Sequence, residues 1–505
     1  MFSSNDHILI AAVVVYLAVS IGIGLWAARR VSSSTDYMLA GRSLPLYIVV
    51  ATVFATWFGS ETVLGTSSTF ITEGLGGIIA DPFGAALCLI LVGVFFAVPL
   101  YKMKLLTIGD YYRQRYSRDI EATTSLVIMI SYLGWVAAQL TALGLVFNII
   151  SHGIITREMG TLLGAAIVII YTLYGGMWSV ALTDFFQMTL IMAGLLYIAW
   201  LVTGQIDGGA MAVISHAEAA GKMNFWPDAN LAGILGFIGA IVTLGLGSIP
   251  QQDVFQRVMA AKDAKTSRNG AILGGVLYLL LAFVPIYLAY TAFLLDPNMV
   301  NGLLADGGDS QMVLPTLIIQ HTPIFAQVLF FGALLSAIMS TASGTLLAPS
   351  TLFSENLLKP YIGQQTDRQF LSTIRTVVVV FGICVTVFAL YKADLTIFQM
   401  VENAYKIVLC GAFVPLAFGL YWQRANRNGA RLSMILGIGT WVFFEALEYS
   451  YESISGATGW SLVGLSDWAT VCPPQLAGFI AALIGMIVGT LLLPVRSEPN
   501  LEIVD

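Results

Sequence analysis

The sequence predicts an all-α membrane protein that crosses the bilayer many times. Of its 505 residues, 57% are hydrophobic and only 10% are charged, whereas soluble domains carry about 25% charged residues. So few charges would not cover the surface of a soluble fold of this length, and the apolar surplus is expected to face lipid. In lipid, only helices and closed barrels satisfy their backbone polar groups. The long, continuous apolar runs favour helices over the alternating strands of a barrel.

Thirteen apolar segments are long enough to cross the hydrocarbon core, which takes about 20 helical residues. The first of them has no Lys or Arg before it, so we interpret it as a retained helix rather than a signal peptide. We number the segments as spans one to thirteen. They lie near 7–28, 46–70, 77–101, 121–151, 158–175, 178–203, 230–250, 270–295, 323–350, 371–392, 395–421, 430–450 and 474–494.

The positive charges alternate between the two sides of these spans. Of the 23 Lys and Arg residues, 19 lie in odd-numbered gaps or the C-terminal tail, and Arg157, Lys222 and Lys392 lie in even-numbered gaps. Because cytoplasmic loops are enriched in Lys and Arg, the N-terminus is predicted outside and the C-terminus inside the cell (inner) membrane. The acidic loop residues predicted to lie outside are Asp296, Asp306, Asp309, Glu448, Glu452 and Asp467.

Spans two and seven are both interrupted by residues that weaken a helix. Span two contains Gly59 and Gly65, and span seven contains Gly245, Gly247 and Pro250. Within a helix, Gly costs about 1 kcal/mol and Pro about 3 kcal/mol relative to Ala. Paired interruptions at corresponding places in two halves indicate the central binding site of a transporter. An alternative is that these glycines only let neighbouring helices pack closely.

The two interrupted spans are five apart in the chain. Since five is an odd number, a second copy of a five-helix unit would start from the opposite side of the membrane. The sequence therefore predicts a five-plus-five inverted repeat with broken helices. We divide the chain into a peripheral first helix (1–45), a first repeat (46–205), a second repeat (206–425) and two peripheral helices with a tail (426–505).

Span nine carries adjacent hydroxyls at Ser340 and Thr341. Sodium is bound by oxygen ligands, including carbonyls freed where a membrane helix unwinds. The alternative for both residues is a hydrogen bond to the carbonyl one turn back. Asp184 in span six is an ionisable residue inside the bilayer, which is costly and usually functional. The alternative is that Asp184 only caps or pairs with another group at a helix end.

Three stretches of the chain resemble the sodium/solute symporter family, which includes carriers of proline, pantothenate, sugars and choline. They are residues 171–187, 252–258 and 336–343, and the resemblance extends over nearly the whole chain. It implies a LeuT-like inverted-repeat fold and import of a solute driven by the sodium gradient through alternating access.

The resemblance also implies a set of functional residues. Sodium is the expected cofactor, and Asp184 is expected to assist its coupling to the solute. The expected sodium ligands are the carbonyls of Ala55, Phe58 and Ala337 and the hydroxyls of Ser340 and Thr341.

The break in span two is most similar to that of the choline branch, where an aromatic cage holds a quaternary ammonium by cation–π attraction. Trp57 and Trp135 match two cage positions, whereas Ala85 and Gln251 depart from the cage at two others. A cage that lacks two of its aromatic residues indicates a substrate more polar than the cage of the choline branch holds. The predicted class is a cationic or zwitterionic amine, such as choline or a related compound, with Asp81 as its counter-charge. Trp57, Trp135, Gln251 and Asp81 are therefore the candidate substrate residues. Core packing or an interfacial belt is the alternative role of the two tryptophans.

Several alternatives remain at this point. A carrier of proline-type amino acids or carboxylates is the first, and a membrane sensor or a passive channel on the same scaffold is the second. The sequence contains no grouping of His, Cys and Asp that would indicate an enzyme. It also contains no dense basic run that would indicate nucleic-acid binding. The expected partners are sodium, a small organic solute and the lipid bilayer, and the oligomeric state is left open. Glu402 and Lys406 are spaced to pair on one helix face, as a structural pair or a gate, while Glu61 and Glu445 have no predicted partner.

Overall fold

The computed structural model describes most of the chain. The described residues are 4–305, 308–392, 395–455 and 471–493. The predictions for Asp306, Asp467 and the tail residue Arg496 lie outside them, as do those for the side chains of Glu448 and Glu452.

Within the described residues the regular structure is helical, apart from one backbone bridge between Leu44 and Ala261. Ten of the described helices are long and apolar enough to cross a membrane, and two bent pairs of helices raise the number to twelve. This confirms the predicted all-α, multi-pass class. The ten are Asp6–Ala28, Leu75–Lys102, Arg118–Ile150, Thr172–Thr203, Ala264–Leu295, Ile324–Leu358, Asp367–Tyr391, Ile397–Tyr421, Arg427–Leu447 and Pro474–Leu492.

The predicted spans five and six both lie within the 47-residue helical element Arg157–Thr203. A straight helix of that length would be about 70 Å long, more than twice the roughly 30 Å hydrocarbon core. The element is interrupted at Gly176, where φ is +50° and ψ is −150°. The interruption falls between the predicted spans, which were placed at 158–175 and 178–203.

Replacing Gly176 by alanine is expected to destabilise the protein. A Cβ atom there would lie 2.5 Å from the carbonyl oxygen of Tyr37, at a φ that side chains rarely adopt. Such strain costs about 1–3 kcal/mol, so the thermal unfolding midpoint of the detergent-solubilised protein should fall. Gly332→Ala is the matched control, because nothing lies within 4 Å of its added Cβ. Equal unfolding midpoints for Gly176→Ala and Gly332→Ala would contradict the conclusion that the backbone at position 176 requires glycine.

Both predicted helix breaks are present. Span two consists of Leu46–Trp57 and Glu61–Glu73 with a bend of 53°, and span seven consists of Leu231–Gly247 and Gln252–Met259 with a bend of 48°. At Gly59, an added Cβ would lie 2.7 Å from the hydroxyl of Thr341 in span nine. The glycine therefore lets span nine approach the broken backbone of span two.

Burial separates central from peripheral spans. Among the ten single helices, those of spans four, nine and eleven are the most buried, whereas those of spans one and twelve face mostly outward. In the broken span two, every residue from 51 to 68 is buried. Short helices that the sequence did not predict lie between the spans. The longest of these are Ile108–Arg115, Gly209–Ala219, Pro297–Leu304 and Val313–His321.

Candidate functional site

The hydroxyls of span nine lie against the broken backbone of span two. Thr341 Oγ1 is 2.8 Å from the carbonyl oxygen of Thr56 and 3.5 Å from that of Ala55. Ser340 Oγ donates a 2.6 Å hydrogen bond to Asp184 Oδ1, and the hydroxyl of Thr52 donates to Asp184 Oδ2. All six residues are buried. Spans two, six and nine therefore meet around one carboxylate and a group of neutral oxygens.

The two remaining predicted sodium ligands lie on the same two elements. Ala337 is buried one helical turn before Thr341 in span nine. Phe58 is the residue at which span two leaves the helical conformation, with φ −87° and ψ 71°. Hydroxyls and freed carbonyls are the oxygen ligands that sodium requires, so the donor set fits this ion. That these atoms surround sodium remains a prediction.

A buried arginine links the two broken spans. Arg257, in the second half of span seven, donates from Nε to the carbonyl oxygen of Thr52 at 3.2 Å and to the hydroxyl of Thr56. Its Nη1 donates to the carbonyl oxygen of Asp253 at 2.9 Å. Arg257 also interacts electrostatically with Asp184. The sequence placed it within a family motif but gave it no role.

A small cavity of about 10 Å³ lies beside the break in span two. The ring centroids of Trp57 and Trp135 are 5.6 Å apart, and that of Tyr405 lies 6.1 Å from Trp57 and 5.4 Å from Trp135. Three of the four candidate substrate residues, Trp57, Trp135 and Asp81, thus surround one space. The lining residues are Trp57, Glu61, Asp81, Ala85, Trp135, Leu244, Tyr278, Val401 and Tyr405.

Gln251, the fourth candidate, does not line this cavity. It precedes the second half of span seven, at the helix break, and its Nε2 donates to Ser131 Oγ at 2.9 Å. Ala85, at the other position that departs from the aromatic cage, does line the cavity.

Two carboxylates in the cavity wall have neutral partners. Glu61 accepts hydrogen bonds from Trp135 Nε1 at 3.1 Å and from Gln139 Nε2 at 2.7 Å. Asp81 accepts a 2.9 Å hydrogen bond from Thr66 Oγ1 and another from the hydroxyl of Tyr278. No partner for Glu61 was predicted from the sequence, although an acid inside a membrane span is itself a sign of function.

A wide polar vestibule leads toward the aromatic cavity. It has a volume of about 360 Å³, and its wall includes Glu73 and Glu402. A narrow space of about 10 Å³ lies between the two and is lined by Glu61, Asp81, Phe398 and Glu402, among others. Neighbouring spaces share lining residues, so they mark a narrow path from the vestibule to Trp57. The other vestibule residues are Gly65, Ser68, Thr69, Thr72, Gly76, Gly77, Ala80, Ala240, Ser310, Gln311, Thr396, Phe398 and Gln399.

Glu402 and Lys406 interact electrostatically, as predicted, but the direct ion pair of Lys406 is with a different acid. Lys406 Nζ lies 3.8 Å from Glu445 Oε1 in span twelve, and Glu445 also accepts a 3.0 Å hydrogen bond from Trp441 Nε1. Glu445 therefore has the partner that the sequence did not supply, and Glu402 lines the vestibule instead. Helical spacing allowed the pair, but the neighbouring helix provided the nearer carboxylate.

Hydrogen bonds join the segment between spans three and four to span eleven. They run from the short helix Ile108–Arg115 and the residue after it to backbone carbonyls at the end of span eleven. Arg115 Nε donates to Gly419 at 2.9 Å and its Nη2 to Ala425 at 2.7 Å. The hydroxyls of Tyr111, Tyr112 and Tyr116 donate to the carbonyls of Leu416, Ala412 and Pro415, respectively.

Comparison with known proteins gives a consistent result. The family model described as the sodium:solute symporter family matches residues 37–437. The chain is 29% identical over 396 residues to the high-affinity choline transporter 1 of Drosophila melanogaster, an alignment that covers 75% of this chain and 62% of that protein. It is 27% identical over 473 residues to the sodium/glucose cotransporter of Vibrio parahaemolyticus, covering 86% of this chain and 84% of that one. These relatives are transporters, not enzymes.

A solved structure has the same fold. It is that of a Na⁺-coupled sialic acid symporter in a substrate-bound, outward-open state, with a TM-score of 0.78 and 21% sequence identity. The match covers 97% of this chain and 98% of that one. It confirms the predicted LeuT-like fold.

Proposed function

Because the chain belongs to the sodium:solute symporter family, we propose that it imports a small cationic or zwitterionic amine by alternating access, driven by sodium. The observation that carries this proposal is the contact between the Ser340–Thr341 hydroxyls, Asp184 and the broken backbone of span two. A cation held there would fix the shape of the broken helix. The wall of the aromatic cavity begins at Trp57 in the same break, so the ion would also fix the substrate site.

The proposed sodium ligands are the carbonyls of Ala55, Phe58 and Ala337 and the hydroxyls of Ser340 and Thr341. In the structure, Asp184 accepts hydrogen bonds from Ser340 and Thr52. Sodium would draw the Ser340 oxygen toward itself and so alter the contact with Asp184. This exchange is our proposal for how Asp184 takes part in coupling.

The cavity favours a positively charged solute. Its wall contains two carboxylates, Glu61 and Asp81, and among its described lining residues none is Lys, Arg or His. Trp57 and Trp135 offer aromatic faces, which attract cations. A solute of net negative charge would meet two acidic side chains and no described cationic one here, which disfavours a carboxylate carrier as the second candidate.

The path through the protein supports capture from outside. The vestibule is lined by residues near the ends of spans that the charge distribution places outside, including Glu73, Ser310 and Thr396. The hydrogen-bonded segment around Arg115 lies on the predicted inner side. We therefore propose an orientation with the N-terminus outside in the cell (inner) membrane. One charge crossing 100 mV releases about 2.3 kcal/mol, enough for a few tens-fold accumulation per ion.

Sodium-dependent binding tests this proposal. In a thermal-unfolding screen of amines, betaines and amino acids, we expect sodium but not potassium to raise the unfolding midpoint. An active amine should raise it further only when sodium is present. In proteoliposomes the same amine should accumulate against its gradient when sodium is outside.

Three outcomes would contradict the proposal in different ways. Equal uptake in sodium-free medium would exclude sodium coupling. Uptake that equilibrates without concentrating the solute would indicate a passive channel. Sodium-dependent stabilisation by proline but by none of the amines would favour the amino-acid carrier.

A further inference from the structure

The aromatic cavity is built differently from a cage for a quaternary ammonium. Two of its ring side chains direct polar atoms to carboxylates: Trp135 Nε1 donates to Glu61, and the hydroxyl of Tyr278 donates to Asp81. A carboxyl group, ionised or protonated, can accept hydrogen bonds on both of its oxygens. Each of these two carboxylates is described with two hydrogen bonds from the protein, so each retains capacity to accept more.

Two other polar atoms in the wall have no partner. Within the described residues, neither Trp57 Nε1 nor Tyr405 Oη makes a hydrogen bond, and the two side chains are 3% and 1% exposed. Buried polar groups without partners are rare in native proteins. An indole N–H is only a donor, so Trp57 requires an acceptor. The unpartnered groups therefore indicate a ligand that carries an oxygen.

We propose that the site takes a primary or secondary ammonium that also bears a hydroxyl or carbonyl oxygen, as an amino alcohol does. The ammonium N–H groups donate to Glu61 and Asp81, and the oxygen accepts from Trp57 and Tyr405. A quaternary ammonium has no N–H and so offers neither Glu61 nor Asp81 a hydrogen bond from the ligand. This inference rests on the proposed function, since it defines the substrate class of the same site.

A methylation series tests the inference at constant charge. Radiolabelled ethanolamine is taken up by proteoliposomes in sodium, and unlabelled ethanolamine, N-methylethanolamine, N,N-dimethylethanolamine and choline compete. These compounds share one hydroxyl and one positive charge and carry three, two, one and no N–H donors. Losing a hydrogen bond to a charged group costs roughly ten-fold in affinity. Choline should therefore compete about 100-fold more weakly than ethanolamine, and ethylamine, which lacks the oxygen, about ten-fold more weakly.

Substitutions of Glu61 and Asp81 test whether these two acids cause the preference for ethanolamine over choline. In Glu61→Gln and Asp81→Asn, the preference for ethanolamine over choline should shrink by about ten-fold in each. Glu158→Gln, at an exposed acid near the start of span five, should leave the preference unchanged. Because the readout is a ratio of two ligands on one protein, a lower yield of folded variant does not alter it.

Each possible result supports or overturns the inferred substrate class. Choline competing as well as or better than ethanolamine overturns the inference while leaving sodium-coupled import intact. Absence of ethanolamine uptake in sodium also overturns it. Uptake of ethanolamine with the expected ranking but without any need for sodium supports the substrate class and overturns the proposed coupling.

Discussion

Replacing both Ser340 and Thr341 by alanine is expected to abolish sodium-driven accumulation of the solute. The double variant removes two of the five proposed sodium ligands and the hydrogen bonds to Asp184 and Thr56. If each lost hydroxyl contributes about 1–1.5 kcal/mol, the sodium concentration for half-maximal uptake should rise roughly 100-fold. The measurement is initial uptake in proteoliposomes as a function of external sodium, with each single variant expected to lie about ten-fold above the wild type.

Ser350→Ala is the matched control for this experiment. Ser350 lies in the same helix, is fully buried, and donates to the carbonyl of Leu346 at 2.7 Å. The Ser350→Ala variant shows whether removing a buried hydroxyl from span nine impairs uptake through helix packing alone. Undiminished sodium dependence in the double variant would refute the sodium site, and an equal loss in Ser350→Ala would point to helix packing instead.

The broken helices were predictable because they depend on local chemistry. Glycine and proline weaken a helix wherever they occur, so the interruptions near Gly59 and Pro250 were visible in the sequence and are present in the structure. The meeting of span nine with span two was different. It required a comparison of the whole pattern with a known family, because nothing in the sequence around Thr341 specifies which carbonyl its hydroxyl will contact.

The parts of the site that the sequence missed are long-range contacts. Tyr278 and Tyr405 are aromatic residues in apolar spans, and such residues are found facing lipid as well as lining a cavity. Their place in the cavity is set by the packing of spans eight and eleven against span two. The partner of Lys406 could not be predicted for the same reason, since its direct ion pair is with Glu445 in span twelve. Helical periodicity cannot decide between partners on different helices.

Replacing Arg257 by methionine is expected to destabilise the protein more than any other change considered. The guanidinium is 1% exposed, interacts with the buried carboxylates of Asp184 and Asp253, and donates to the backbone of span two. Removing one member of a buried charge group leaves the others uncompensated, at a cost of about 3–5 kcal/mol. The unfolding midpoint in detergent should fall sharply, and Arg368→Met, at an exposed position, should change stability by less than about 0.5 kcal/mol.

A second substitution distinguishes charge compensation from packing. If Arg257 stabilises the protein by compensating Asp184, then Asp184→Asn should restore part of the stability lost in Arg257→Met, because the uncompensated charge is gone. Arg257→Lys should lie between the wild type and methionine, since an ammonium keeps the charge but cannot reproduce the planar fork of donors. Strictly additive losses in the double variant would instead assign the role of Arg257 to its contacts with Thr52 and Thr56. Those contacts would then hold the broken helix in place without the help of charge.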